Sequence, residues 1–321
     1  MPTPQLNCNF LNVEIMNKQN TVARLDLPHI DREDKLNRIL SAALDNQGDI
    51  LSEKNAKNET PLNYWNQEYF NLHKVNIFQE STATEKRLIL QLCNLEILKE
   101  AYFIEKAGVG YMAKMILLAE TTEERMLYGL FAADEVNHFS KISGFLPVPK
   151  INNSPFLNLL EEVVESNDKK VLLFVLQVVL EGWGLTHYRS IAKHCQNIQL
   201  RSTLNSFLQD ESRHHATGVT LFEKISLTKL SRETITEILA VFLQMVQVGP
   251  QSVVKAIEQV KGSLSREEKI NIFEQLDTQN HSGIRLKKLH SLMHLPNATS
   301  VINSLENKGY FQPLKASLCV L

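Results

Sequence analysis

The chain has 321 residues, 43% of them hydrophobic and 22% charged, and a formal net charge of −2. That composition is globular and the length suits about two domains, while near-neutral charge excludes an electrostatic footprint for nucleic acid or an anionic membrane. Cys8, Cys93, Cys195 and Cys319 lie far apart and form no Cys-x-x-Cys, which argues against a rubredoxin-type or zinc-ribbon site and suits a reducing compartment, the cytoplasm.

Residues 1–30 show no clear periodicity and are expected to form an extended arm. No basic stretch followed by an apolar run opens the chain, so no secretory signal is expected. A short helix should run from Asp31 to about Asn46, then a polar loop from Gly48 to Asn58, then a helix from Pro61 to Leu72 with Trp65 and Phe70 as packing anchors. Thr82 and Glu85 form a capping box that opens a long helix reaching about Leu118. Gly108 and Gly110 within it either admit a close backbone approach or loosen the helix. A second long helix is expected from Thr122 to Ser143, stopped by Gly144, Pro147 and Pro149. Ser154 and Pro155 should open a short helix as N-cap and N1. A third long helix follows from Asp168 to Cys195, apolar nearly all round between Val171 and Leu180. That apolar run, about ten residues, is too short to span a bilayer. A fourth runs from Ile198 to Ile225. Ser231 is expected to cap a helix reaching Val248, where Gly249 and Pro250 break it. Ser265 and Glu268 form another capping box. Asp277–Gly283 has a partial likeness to a calcium loop, but its Gly falls one place late and Lys288 takes the acidic twelfth position. No stretch alternates convincingly enough for a sheet. The fold expected is all-α: residues 1–82 an arm with short helices, 83–225 a core, and 226–321 further helices packed on it, together one globular domain.

Within the core, two segments of 34 residues align without a gap, Glu105–His138 and Glu181–His214. Seven positions are identical, pairing Glu105, Gly108, Arg125, Phe131, Asp134, Glu135 and His138 with Glu181, Gly184, Arg201, Phe207, Asp210, Glu211 and His214. A lone Glu-x-x-His means little, since about one is expected by chance. However, Asp-Glu occurs only twice in the chain, each time with a His three residues later and a Glu thirty residues upstream. Glu and His at i and i+3 share a helix face. A turn midway, at Thr121 or Asn197, makes each arm roughly 22 Å long and returns the first Glu to the level of the pair. Two such hairpins face to face set four carboxylates and two imidazoles around one point, a ligand set for two metal ions between four helices. The bland alternative is a helical bundle whose charges lie on the surface. It conflicts with the apolar flanks at Tyr128–Ala133 and Val171–Leu180, which would bury the carboxylates, and buried carboxylates must be paired, protonated or metal-bound. One metal is assigned to Glu105, Glu135 and His138, the other to Glu181, Glu211 and His214. Glu96 and Glu100 compete for the first position, but only Glu105 matches the thirty-residue interval. Oxygen-rich donors with two imidazoles suit iron or manganese.

Over residues 83–225 this pattern resembles the ferritin-like di-iron carboxylate proteins, with their four-helix bundle. The Asp before each Glu is similar to the oxygen-activating branch: multicomponent monooxygenases, ribonucleotide reductase small subunits and N-oxygenases. The resemblance implies two iron ions, or a manganese–iron pair, bridged by Glu135 and Glu211. It implies Asp134 and Asp210 as supports for the His of the opposite half, pairing Asp134 with His214 and Asp210 with His138; surface Asp is the alternative. It implies an oxygen-dependent oxidase or oxygenase acting on a small organic substrate, an electron donor such as a ferredoxin or flavoprotein reductase, and a homodimer. Phe131 and Phe207 either line the pocket or simply pack the core. Tyr111 and His187 fall about 240° round from the first Glu and are read as structural, Arg125 and Arg201 as hairpin-end ion pairs, and Tyr102 as core packing or a redox tyrosine. Two departures weigh against particular relatives. Ile142 stands where a radical tyrosine is common, and Leu185 stands where the monooxygenases tend to have Thr. An iron-storage protein and a ribonucleotide-reductase-like radical protein are the competing functions.

Overall fold

A computed structural model describes residues 22–31, 33–45, 63–149 and 154–320, and among these every regular element is a helix. The expected polar loop at Gly48–Asn58 and most of the N-terminal arm fall outside the described residues. The longer helices are α1 (Lys35–Asp45), α2 (Ala83–Leu118), α3 (Thr122–Ser143), α4 (Pro155–Glu165), α5 (Lys169–His194), α6 (Ile198–Phe222), α7 (Lys229–Gln247), α8 (Gln251–Lys261), α9 (Arg266–Gln275), α10 (Thr278–Met293) and α11 (Thr299–Asn307).

The caps explain most boundaries. The Thr82 hydroxyl accepts from Glu85 N–H while the Glu85 carboxylate accepts from Thr82 N–H, and the same reciprocal pair forms at Ser265 and Glu268. Thr121 and Asn197 cap α3 and α6, so each hairpin turns where the midpoint residues allow a new helix start. The Glu124 carboxylate reaches past its cap to Glu120 N–H and pairs with Lys169 at 2.6 Å. Gly249 adopts φ +74°, which ends α7 and re-aims the chain into α8.

Several expectations need correction. Residues 63–71 are turns rather than a helix, with a 3-10 turn at Leu72–Lys74. The cause is Asn94 on α2: its amide accepts from Trp65 N–H at 2.7 Å and donates to the Trp65 carbonyl at 3.0 Å, taking the groups a helix would need. The α7 cap is Thr228, not Ser231; Ser231 instead hydrogen-bonds the Asp168 carboxylate at 2.6 Å. Ser154 precedes Pro155 but its side chain makes no capping bond. Asp277–Gly283, already set apart from a calcium loop by its Gly position and Lys288, leads into and forms the start of α10.

The third long helix departs from α geometry. Between Leu172 and Glu181 it is a π-helix, whose wider i→i+5 ladder ends at Glu181, and π segments are often found at functional sites. Its run is buried almost completely. With flanking residues it forms one helix, 169–194, long and apolar enough to cross a membrane, as is the bent pair α7–α8 taken together. Of the apolar window in 169–194, 61% is buried inside the protein. The π segment packs on α6 at Gly218, where a Cβ would lie 2.3 Å from Gln177 Cβ.

The α2–α3 and α5–α6 hairpins pack through α3 against α6. Their apolar faces form one large buried cluster with α4, α7, α10 and α11. A second cluster joins residues 72–93 to α8, α9 and the one-turn helix Ala316–Cys319. Cys93, Cys195 and Cys319 are buried free thiols. Residues 22–29 lie across α2 and the end of α4: Val22 and Ala23 N–H donate to Glu165, Lys106 donates to the Leu27 carbonyl, and His29 shares a 2.6 Å hydrogen bond with Tyr102. Gly110 permits this approach, since a Cβ there would sit 2.4 Å from the Val22 carbonyl oxygen.

Asn94→Leu should orphan both Trp65 backbone groups. An expected loss of about 3 kcal/mol follows from two unsatisfied buried groups, to be read from the denaturant midpoint.

Candidate metal centre

Four helices carry the six residues singled out by the repeat. Glu105 projects from α2, and Glu135 with His138 from α3. Glu181 closes the π segment, and Glu211 with His214 comes from α6. Donor atoms of Glu105, Glu135, His138 and Glu211 all lie within 4.8 Å of one another, a buried group that could hold a metal ion. His138 Nδ1 is 3.3 Å from Glu105 Oε2 and 3.4 Å from Glu211 Oε1. His214 Nδ1 is 3.3 Å from Glu135 Oε1 and 4.0 Å from Glu211 Oε2. Glu181 stands outside the tight group but interacts electrostatically with His214 and the other three carboxylates. Glu135 and Glu211 are thus the carboxylates facing both halves.

The imidazole orientation is held from behind. His138 Nε2 meets Asp210 Oδ2 at 3.1 Å and His214 Nε2 meets Asp134 Oδ2 at 3.3 Å, each Asp coming from the other hairpin. Arg213 bridges both aspartates, at 3.5 Å to Asp134 and in a shorter contact with Asp210. With Nε2 donating to an aspartate, Nδ1 of each ring faces the carboxylates, where it can give up its proton and ligate a metal. Glu105 Oε2, His138 Nδ1, Glu181 Oε2 and His214 Nδ1 are all buried with no hydrogen-bond partner. Orphaned buried polar atoms of this kind are rare and costly.

Electrostatics show the same shortage of positive charge. Burial pushes the Glu135 carboxyl up to about 8, with Glu211 and Glu105 adding to the effect and His214 opposing it. Burial also drives Glu181 well above the usual carboxylate range. Burial alone would lower both imidazoles, but the Asp210 hydrogen bond and the nearby Glu105 and Glu211 carboxylates raise His138 well above its usual value. Asp134, Glu135 and Glu181 bring His214 up to about 11.

Other neighbours shape the site. Phe207 stacks on the His138 ring at 4.1 Å and Phe131 packs on the His214 ring at 4.3 Å. Neither is among the residues lining the adjoining cavity. The Tyr188 hydroxyl donates to Glu105 Oε1. Tyr188 lies seven residues after Glu181, two turns along the same face, and that spacing could have singled it out. The Tyr111 hydroxyl, buried and without a partner, lines the cavity beside the carboxylates. Gly108 leaves room for a ligand: a Cβ there would lie 2.3 Å from Glu135 Oε2.

The residues set aside earlier fall elsewhere. Glu96 pairs with Lys99 at 2.9 Å. Arg201 hydrogen-bonds the Cys195 carbonyl rather than an acid, and Arg125 makes no ion pair among the described residues. Tyr102 is buried between Phe103, Phe139 and His29. His187 and Glu100 line a cavity of about 1610 Å³ that reaches Glu105, Glu135, Glu181 and Glu211.

No family model, curated protein or solved structure matches this chain. The site therefore rests on its own chemistry.

Gly108→Ala should favour the α2 helix intrinsically yet displace the Glu135 carboxylate. We expect unchanged or higher helicity by circular dichroism with at least tenfold weaker ferrous-ion binding in a calorimetric titration.

Proposed function

We propose that this chain is an oxygen-dependent non-haem di-iron oxidoreductase with a ferritin-like four-helix core, acting on a small organic substrate. The observation that carries this reading is the set of buried, partnerless donor atoms at Glu105, His138, Glu181 and His214, gathered around Glu135 and Glu211 from four helices. The donor set fits two divalent cations: four carboxylates balance four positive charges, and the cations remove the desolvation cost of leaving these acids unpaired. Oxygen-rich ligands with imidazole suit iron or manganese better than structural zinc.

Glu105 and His138 would hold one ion, Glu181 and His214 the other, with Glu135 and Glu211 between them. Iron held there would supply reducing equivalents to dioxygen, chemistry that no side chain here performs by itself. The chain's own residues set the conditions. Asp134 and Asp210 hold each ring with Nδ1 inward, which also makes the imidazole a stronger donor. Tyr188 steadies Glu105 through its hydroxyl. The cavity receives the organic substrate against the carboxylate face, and the apolar packing of Phe131 and Phe207 keeps water from the imidazoles. An external protein, such as a ferredoxin or a flavoprotein reductase, would return electrons.

Anaerobic ferrous loading followed by air and desalting should leave about two irons per chain, the number two ligand triads can hold. Glu135→Ala and Glu211→Ala should each lose most of that iron. Tens of irons per chain would mean storage instead, and iron content unaffected by both substitutions would reject the site.

A further inference from the structure

The cavity continues past the metal carboxylates along two helix faces. On α2 its wall includes Glu100, Ile104, Ala107, Gly108 and Tyr111, a stripe at helical spacing. On α5 the corresponding stripe runs through Leu180, Gly184, His187 and Tyr188 to His194. Glu100 is five residues before Glu105, roughly 7.5 Å along the axis at the helical rise. It lies deep within the protein envelope, yet its side chain keeps solvent access because it faces this cavity.

Arg285 of α10, itself exposed, lines the same cavity. The two opposite charges feel each other: Arg285 draws the Glu100 carboxyl down while burial, the larger effect, pushes it up. They nevertheless make no ion pair within 4 Å; among the described residues neither has a salt-bridge partner. Both side chains keep access to solvent at the cavity wall, so each charge is open to a ligand rather than sealed in the core. Here a gap separates them. His187 and Tyr69 line the same region. Burial and the Arg285 charge push His187 down to about 4, so it is neutral at neutral pH and adds hydrogen-bonding capacity without competing as a cation.

We propose that Glu100 and Arg285 are the two poles of a subsite for the zwitterionic end of an α-amino-acid-type substrate. The substrate carboxylate lies on the Arg285 guanidinium and its ammonium on Glu100, inserted between the poles with the signs alternating. Its side chain runs along the α2 and α5 stripes toward Glu105. A fork-shaped guanidinium suits a planar carboxylate. The placement of the reactive end rests on the di-iron reading; binding of the charged end does not.

The test is isothermal titration of the full chain, metal-loaded and metal-free, with three probes of equal carbon length: L-norleucine, hexanoate and hexylamine. L-norleucine should bind at least tenfold more tightly than either single-charge probe. Arg285→Met should erase its advantage over hexylamine, and Glu100→Gln its advantage over hexanoate, with iron content unchanged in both variants. Equal binding of all three probes, a preference that survives both substitutions, or no saturable binding of any probe would overturn the proposal. The wild-type comparison decides it even where a variant does not fold. Two irons per chain with no L-norleucine preference would sink this inference alone, whereas the preference in a chain that holds no iron would sink the di-iron reading alone.

Discussion

Three carboxylates buried at one point, with a fourth, Glu181, beside them, are the constraint on which the rest of this molecule depends. Glu105, Glu135, Glu181 and Glu211 face one another with two imidazoles for company, and burial alone drives Glu135 and Glu181 toward their neutral forms. A fold gains nothing in stability from such an arrangement unless something positive joins it. The surrounding protein maintains it at a cost, as sites retained for chemistry commonly do.

Much of the local structure follows from that constraint. Gly108 is small where α2 must admit the Glu135 carboxylate, and Gly218 is small where α6 meets the π segment at Gln177. The π segment delivers Glu181 at its end. Its Gln177 side chain accepts from Tyr128 at 2.6 Å and donates to the His214 carbonyl at 3.1 Å, tying both hairpins to the α6 ligand turn. Asp134, Asp210 and Arg213 form a charged brace that locks the two imidazoles from opposite hairpins. The cavity approaches the carboxylates from α2 and α5, while the aspartate brace stands behind the imidazoles. Cavity access and imidazole support thus occupy different groups of residues.

The helical hairpins and the residues that meet between them were legible because helix periodicity turns a thirty-residue interval and an i, i+3 pair into a spatial statement. The cross-pairing of aspartates entered through family resemblance rather than spacing, and the hydrogen bonds at His138 and His214 have that pattern. Features set by distant partners were not legible. Residues 63–71 have helical composition, but Asn94, nearly thirty residues away, captures the Trp65 backbone. Thr228 and Ser231 are both good caps, and the choice turned on Asp168 taking the Ser231 hydroxyl. No alternation in the apolar run announces a π-helix. Nor does anything around Arg285 in the sequence announce that α10 brings it to the same cavity as Glu100; that is tertiary information alone.

The most direct test of the central claim is anomalous diffraction at the iron edge from crystals of the iron-loaded chain. Two peaks roughly 3.5–4 Å apart, between Glu135 and Glu211 and each beside one His Nδ1, are what the account predicts for a two-metal site. A featureless map at this point, or iron bound only elsewhere on the molecule, would contradict it.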